Sequence, residues 1–171
     1  MQLASGKTPW TRATGLVVRG YVSRLDDSVQ PYGLVIPQSV STDPWRKRRL
    51  DVWLHGRDNK LSELKFIQQR RTSAGQFTPP DTIVLHPYGR FCNAFKFAGE
   101  VDVLEALAHA KKQYPVDNNR VSIRGFSMGG GGCWHLGTHL AGDWVAVAPG
   151  AGFAESLEYL GLARKNAMPP A

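Results

Sequence analysis

The segment RGFSMGGGGCWH holds the residues of this chain that are best suited to chemistry. Its core, Gly125-Phe126-Ser127-Met128-Gly129, has the form G-x-S-x-G. This pattern can place a serine on a sharp turn between a strand and a helix, with its hydroxyl exposed as a nucleophile. An apolar strand-like segment precedes Ser127 and a glycine-rich helical segment follows it, as that turn requires. Gly125 and Gly129 would avoid clashes that a Cβ would create. We therefore predict that Ser127 is a catalytic nucleophile.

The tripeptide His55-Gly56-Arg57 follows another strand-like segment and could supply a backbone amide for the reaction of Ser127. A serine that attacks a carbonyl needs two backbone amides aimed at the oxyanion that forms. We predict that the amides of Arg57 and Met128 fill this role, with Gly56 letting the chain turn closely. His55 is expected to brace the loop rather than to transfer protons.

The segments around these residues alternate between strand and helix patterns. Strands are predicted in LVVRGYVS, QPYGLVIP, LDVWL, TIVLH, RVSIRGF and WVAVAP, and helices over 61–71, 99–114, 128–139 and 153–164. The first two strands indicate an antiparallel hairpin, and short apolar strands between helices are typical of a parallel sheet. We predict an α/β fold with a mostly parallel sheet, an N-terminal antiparallel hairpin and helices on both faces. It would occupy residues 14–171, after an irregular segment 1–13.

The first of these helices, over 61–71, is predicted to carry its apolar residues Leu61, Leu64 and Ile67 on one side. Three apolar positions at this spacing form a stripe that packs against a core. The sequence therefore predicts that these three residues form one apolar side of the helix.

Composition and charge exclude several classes of protein. The 171 residues are 42% hydrophobic and 20% charged, as in a single soluble globular domain. No signal peptide and no apolar run of about 20 residues is present, so we predict no membrane contact.

The net charge is +7 and the densest basic run is 46–49. We expect this run to be a solvated loop rather than a nucleic-acid site. Cys92 and Cys133 are expected to be free thiols, without disulfide or metal-ligand spacing.

Six segments of the sequence together resemble one family of enzymes: YGLVIP, LDVWLHGR, VLHPYGR, AGEVDVLEAL, RGFSMGGGGCWH and APGAGFAE. They are similar to the catalytic domain of prolyl oligopeptidase-like serine hydrolases, which belong to the α/β-hydrolase superfamily beside dienelactone hydrolase-like esterases. The resemblance covers residues 14–160. It implies a Ser-Asp-His triad in that chain order, and cleavage of an ester or peptide substrate without a metal ion or organic cofactor.

The base of such a triad cannot be found in this sequence. Histidines occur at positions 55, 86, 109, 135 and 139, whereas the family pattern places the base after a later strand. His135 and His139 follow Ser127 on its own predicted helix, about 12 and 18 Å along the axis, which is too far for a hydrogen bond. Glu155 could serve as an acid, but an acid without a base cannot activate the serine.

Two hypotheses remain open for the function. In the first, the chain is a truncated part of a serine hydrolase, a carboxylesterase or peptidase that forms an acyl-enzyme, and it is weak or inactive alone. An acyl transferase would use the same intermediate. In the second, the chain is a non-catalytic binding or assembly module built on the hydrolase fold. Under both, the strand predicted over 144–148 is an apolar sheet edge, through which we expect self-association. Arg124 needs a carboxylate partner that the sequence does not identify.

Overall fold

A computed structural model describes residues 13–154, which form a six-stranded sheet with helices packed on it. The elements in chain order are β1 (Gly15–Val22), β2 (Val29–Ile36), α1 (Ser39–Thr42), β3 (Arg48–Leu54), α2 (Glu63–Thr72), β4 (Ile83–Pro87), α3 (Ala98–Gln113), β5 (Val116–Phe126), α4 (Met128–His139), a 3₁₀ turn (Ala141–Asp143) and β6 (Ala146–Gly150). Residues 155–164 of the helix predicted over 153–164, and the candidate acid Glu155, lie outside the described residues, and residues 153 and 154 are not helical.

The strands lie in the order β1-β2-β4-β3-β5-β6. β1 and β2 form an antiparallel hairpin in which Gly15 is opposite Ile36 and Val22 is opposite Val29. β2 also pairs antiparallel with β4, whereas the other neighbouring strands pair in parallel. The predicted architecture, a mostly parallel sheet that opens with an antiparallel hairpin, is confirmed.

Helices cover both faces of the sheet. Successive residues of a strand point to opposite faces, and Tyr32 and Gly33 of β2 contact different helices. The Tyr32 hydroxyl is hydrogen-bonded to Nδ1 of His109 on α3 at 2.7 Å. A Cβ added at Gly33 would lie 2.5 Å from Cγ of Arg70 on α2. A hydrogen-bonded pair of side chains joins α3 to α4, so these two helices share the face opposite α2. Within residues 13–154, no helix has both the length and the apolar character to cross a bilayer.

The main core lies where β3, β4 and β5 pack against α3 and α4. All five residues of β4 are buried, as expected for an inner strand covered on both faces. Leu54 of β3, Ile123 of β5 and Leu136 of α4 are completely buried in the same cluster. This packing fixes the position of the β5–α4 junction relative to the end of β3.

The inward residue of α2 differs from the prediction. The helix begins at Glu63, and the hydroxyl of its N-cap Ser62 accepts a hydrogen bond from a backbone amide inside the first turn. Leu61 therefore lies before the helix and joins Phe66 in a small separate cluster. Leu64 is 78% exposed. The aromatic ring of Phe66 buries more surface than a leucine would, and it determines which side of α2 faces inward.

Only the first half of the basic run 46–49 is the solvated loop that the sequence predicted. Arg48 starts β3 and its side chain is fully buried. Its guanidinium donates to the Ser39 carbonyl at 2.6 Å, and its Nε lies 3.3 Å from a carboxylate oxygen of Asp81. A buried arginine is tolerated here because these oxygens satisfy its donors. Arg46, which also pairs with Asp81, is half exposed as predicted.

Both cysteines are free thiols, as predicted. Cys133 is buried in α4, and burial raises the pKa of its thiol to about 12. Cys92 is partly buried. Because a neutral buried thiol is a poor nucleophile, Cys133 acts as a small apolar residue in the core.

Candidate active site

Ser127 lies on the sharp turn between the end of β5 and the start of α4. Its φ of 56° and ψ of −117° place it in a conformation that residues with a Cβ rarely adopt. Two backbone hydrogen bonds hold the turn: the Ser127 amide donates to Gly150 O at 2.9 Å, and the Gly131 amide donates to Ser127 O at 3.0 Å. Ser127 is a partly exposed residue at the carboxyl end of the parallel strands. Ser127 thus combines a strained backbone with partial exposure at this edge of the sheet.

Two glycines allow the turn to pack tightly. A Cβ on Gly129 would lie 2.0 Å from the backbone oxygen of Leu54, at the end of β3. A Cβ on Gly125 would lie 2.6 Å from the Gly129 carbonyl. Both contacts are with backbone atoms, which cannot move aside as a flexible side chain can. The first turn of α4 can approach β3 this closely only with glycine at these positions.

The loop His55-Gly56-Arg57 lies beside this turn because β3 and β5 are neighbouring strands. A Cβ on Gly56 would be 3.9 Å from the Cβ of Ser127. Neither the Arg57 amide nor the Met128 amide makes a hydrogen bond within residues 13–154. Met128 is the first residue of α4, where helix amides point outward and carry partial positive charge. Two amides without a partner among the described residues thus lie on the two segments that meet at Ser127.

The His55 ring is held by backbone oxygens. Its Nδ1 lies 2.8 Å from Gly56 O and its Nε2 lies 2.9 Å from Tyr88 O. The ring also packs edge-on against Phe95, with ring centroids 5.1 Å apart. Since both nitrogens face carbonyl oxygens, His55 is engaged with the loop and is not hydrogen-bonded to Ser127.

The other four histidines also contact residues other than Ser127. His86 Nδ1 lies 3.3 Å from an Arg70 nitrogen, His109 contacts Tyr32, His135 contacts Glu100, and the His139 ring packs against the His135 ring. All five histidines of the sequence lie within residues 13–154. None of them hydrogen-bonds the Ser127 hydroxyl, so no base contacts the serine in the described part of the chain.

A small cavity of about 90 Å³ lies behind the His55 loop, lined in part by Trp53, Phe66, Arg70 and His86. His86 is only 5% exposed, and its Nε2 has no hydrogen-bond partner among the residues that the structure describes. Burial, assisted by the nearby Arg70 charge, lowers the pKa of His86 to about 3. The imidazole is therefore neutral at physiological pH.

Acid is expected to destabilise the protein through His86. In the unfolded chain this imidazole takes up a proton near pH 6.5, whereas in the fold it does so only near pH 3. The stability that comes from the neutral buried ring is present above pH 6.5 and is lost as the pH falls toward 3. At about pH 4.5 the loss should be roughly 2–3 kcal/mol. Urea unfolding at neutral and acid pH should show this loss in the native chain and not in His86→Gln. An identical pH dependence in both chains would contradict the assignment.

The carboxylate partner of Arg124 is Asp51. Asp51 is completely buried, and its Oδ2 lies 3.7 Å from Arg124 Nε. The Arg124 guanidinium also lies 4.1 Å above the centroid of the Phe77 ring, a cation–π contact. Arg49 contacts both oxygens of the same carboxylate at 2.8 and 2.9 Å. Of these contacts, the Arg124–Asp51 pair joins β5 to β3 just before the Ser127 turn.

Comparison with known proteins shows similarity in structure only. No family model and no curated protein matches the chain. Its structure is similar to that of a ferulic acid esterase, at 23% identity and a TM-score of 0.60, covering 80% of this chain and 58% of that one. It is also similar to the fluorophosphonate-binding serine hydrolase F of Staphylococcus aureus, at 16% identity and a TM-score of 0.66, covering 86% and 61%. An S-formylglutathione hydrolase of the same organism gives 16% identity, a TM-score of 0.60, and the same coverage.

These similarities show that the chain has a partial α/β-hydrolase fold. The chain spans between 58% and 61% of the length of these three proteins.

Proposed function

We propose that this chain is the N-terminal portion of a serine hydrolase, a carboxylesterase or peptidase with a prolyl oligopeptidase-like catalytic domain, and that Ser127 is its nucleophile. The observation that carries the proposal is the strained, accessible conformation of Ser127 at the β5–α4 junction, beside the free amides of Arg57 and Met128. The esterases and hydrolases that share the fold support it. The substrate would be a small ester or a peptide.

In the proposed reaction, Ser127 Oγ attacks the carbonyl carbon of the substrate while a base takes its proton. The carbonyl oxygen becomes negatively charged, and the amides of Arg57 and Met128 donate hydrogen bonds to it. Each such donor is worth about 3–4 kcal/mol of transition-state stabilisation. The leaving alcohol or amine departs with the proton, and water then attacks the acyl-enzyme to release the acid.

We assign the acid and the base of this reaction to polypeptide outside residues 13–154. Every histidine of the sequence contacts residues other than Ser127. We therefore expect no histidine of this chain to take the proton of the Ser127 hydroxyl. A serine that keeps its proton is a weak nucleophile. The chain is therefore expected to be weak or inactive alone.

Extending the chain with its downstream coding sequence tests the proposed function. We expect this sequence to encode an aspartate and a histidine after strand-like segments, and the extended protein to hydrolyse simple aryl esters. Ser127→Ala should lower kcat/KM by about 10³-fold or more, because the nucleophile is lost. The matched substitution Ser41→Ala, on the exposed helix α1, should leave the rate unchanged. Ester hydrolysis that survives Ser127→Ala would contradict the proposal.

A sheet edge left without a neighbour is compatible with the alternative, a binding or assembly module, as it is with a truncated hydrolase. β6 pairs only with β5 among the described strands and forms a sheet edge; Val147 in the strand is 38% exposed, and Val145 just before it is 64% exposed. The strand starts at Ala146 rather than at Trp144, whose indole is buried. A stop codon directly after residue 171, together with concentration-dependent dimers in sedimentation, would favour this alternative. A monodisperse monomer would contradict association through β6.

A further inference from the structure

Three side chains with metal-binding atoms meet where α3 and α4 pack together. Glu100 lies in the first turn of α3, and His135 and His139 lie one turn apart on α4. One carboxylate oxygen and one nitrogen from each imidazole all lie within 4.8 Å of one another. We propose that these three residues bind a divalent metal ion of the zinc type, which joins α3 to α4.

The chemistry of the three ligands selects the class of ion. Imidazole nitrogen and carboxylate oxygen together suit zinc, whereas magnesium and calcium prefer sites built from oxygen alone. Two histidines spaced by four residues on one helix are a common way to hold zinc. Three protein ligands leave a fourth tetrahedral position, which water would fill.

The side chains are placed so that small rotations form the site. Nε2 of His135 and Oε2 of Glu100 lie 2.5 Å apart in a hydrogen bond, and the rings of His135 and His139 have centroids 4.4 Å apart. Ligand bonds of about 2.0–2.1 Å in a tetrahedral site place the ligand atoms roughly 3.3 Å apart. The Glu100 carboxylate and His135 would move slightly apart, and the ion would take the place of the proton between them. That proton passes to solvent, and His135 binds as a neutral imidazole with its one proton on Nδ1. The side chains of His135 and Glu100 are 17% and 30% exposed, so an ion can reach them.

The site is separate from the proposed active site. His135 and His139 lie about 12 and 18 Å along α4 from Ser127. The ion would therefore take no part in acyl transfer, and its role would be to hold α3 against α4. The test does not depend on whether Ser127 is a nucleophile.

Titration of the full chain, purified without a histidine tag and stripped with a chelator, tests the site. We expect one equivalent of Zn²⁺ to bind, and Co²⁺ to give the intense visible absorption of a tetrahedral complex. At a hundredfold excess over Kd, zinc should raise the Tm by roughly 5–10 °C. Glu100→Gln can keep the hydrogen bond to His135 but loses the charged ligand, and His139→Gln replaces an exposed side chain. Each should weaken zinc binding at least about tenfold.

His109→Gln is the matched control, because it removes a histidine of α3 that lies outside the cluster. It should leave zinc affinity and the cobalt spectrum unchanged. Zinc binding that persists unchanged in both Glu100→Gln and His139→Gln would overturn the proposal. So would failure of the native chain to bind one equivalent at millimolar zinc, or a cobalt spectrum of octahedral type.

Discussion

Gly129→Ala is expected to destabilise the protein by about 3 kcal/mol or more, and to lower its Tm by roughly 6–12 °C. The added Cβ would lie 2.0 Å from Leu54 O, 2.6 Å from Leu54 C and 2.9 Å from His55 O. All three are backbone atoms at the end of an inner strand, so relief requires α4 to move away from β3. That movement would also displace the Ser127 turn from the loop that carries the Arg57 amide. Urea unfolding followed by circular dichroism measures the loss.

Gly142→Ala provides the matched control. An alanine Cβ at Gly142 would have no atom within 4 Å, and the residue lies in the exposed 3₁₀ turn after α4. Its stability should stay within about 0.5 kcal/mol of that of the native chain. If Gly129→Ala were as stable as Gly142→Ala, the described contact between the first turn of α4 and the end of β3 would be contradicted. The described geometry of the Ser127 turn would be contradicted with it.

Much of the fold could be predicted because, in these segments, the sequence pattern of neighbouring residues favours the same element that the packing of the folded chain requires. The continuous apolar run at 82–86 became the fully buried strand β4, and Pro115 follows directly after α3 and the residue that caps it. Glycines on both sides of Ser127 fixed the strand–turn–helix junction to the residue, so α4 spans Met128–His139 as predicted. Each of these features depends on neighbouring residues in the chain.

The errors occurred where distant residues decide the outcome. Arg48 is buried because Ser39 and Asp81, the latter 33 residues away, satisfy its guanidinium. The inward side of α2 depends on Phe66 packing with Leu61 and Tyr88, and no periodicity of the helix itself indicates this. A run of basic residues or a leucine spacing carries no information about such partners.

The candidate site was predictable only in part, for the same reason. The Ser127 motif and the His55-Gly56-Arg57 loop are local patterns, and the structure places them side by side. The cluster of Glu100, His135 and His139 joins two helices whose ligands are 35 residues apart in sequence. Its only local signal in the sequence is the pair of histidines four residues apart on α4.

Free imidazole is expected to make Ser127 reactive in this chain. A fluorophosphonate probe reacts when the serine oxygen bonds to phosphorus and fluoride leaves, while a base takes the hydroxyl proton. Because Ser127 is a partly exposed residue, we expect a diffusing imidazole to reach that proton. The amides of Arg57 and Met128 would stabilise the negative charge on the phosphoryl oxygen as they would an oxyanion. Imidazole should therefore raise labelling of the native chain above background, and it should not raise labelling of Ser127→Ala.

The most direct test is peptide mass mapping of the fluorophosphonate adduct, with and without imidazole. It asks whether the turn exposes Ser127 as a nucleophile and whether the chain lacks the base that would activate it. We expect background labelling of the native chain alone, equal to that of Ser127→Ala, and an imidazole-dependent adduct on Ser127 that the variant lacks. Efficient labelling of Ser127 without imidazole would show that the chain already contains a base. Imidazole-dependent labelling at other residues and not at Ser127 would show that the turn does not present a nucleophile.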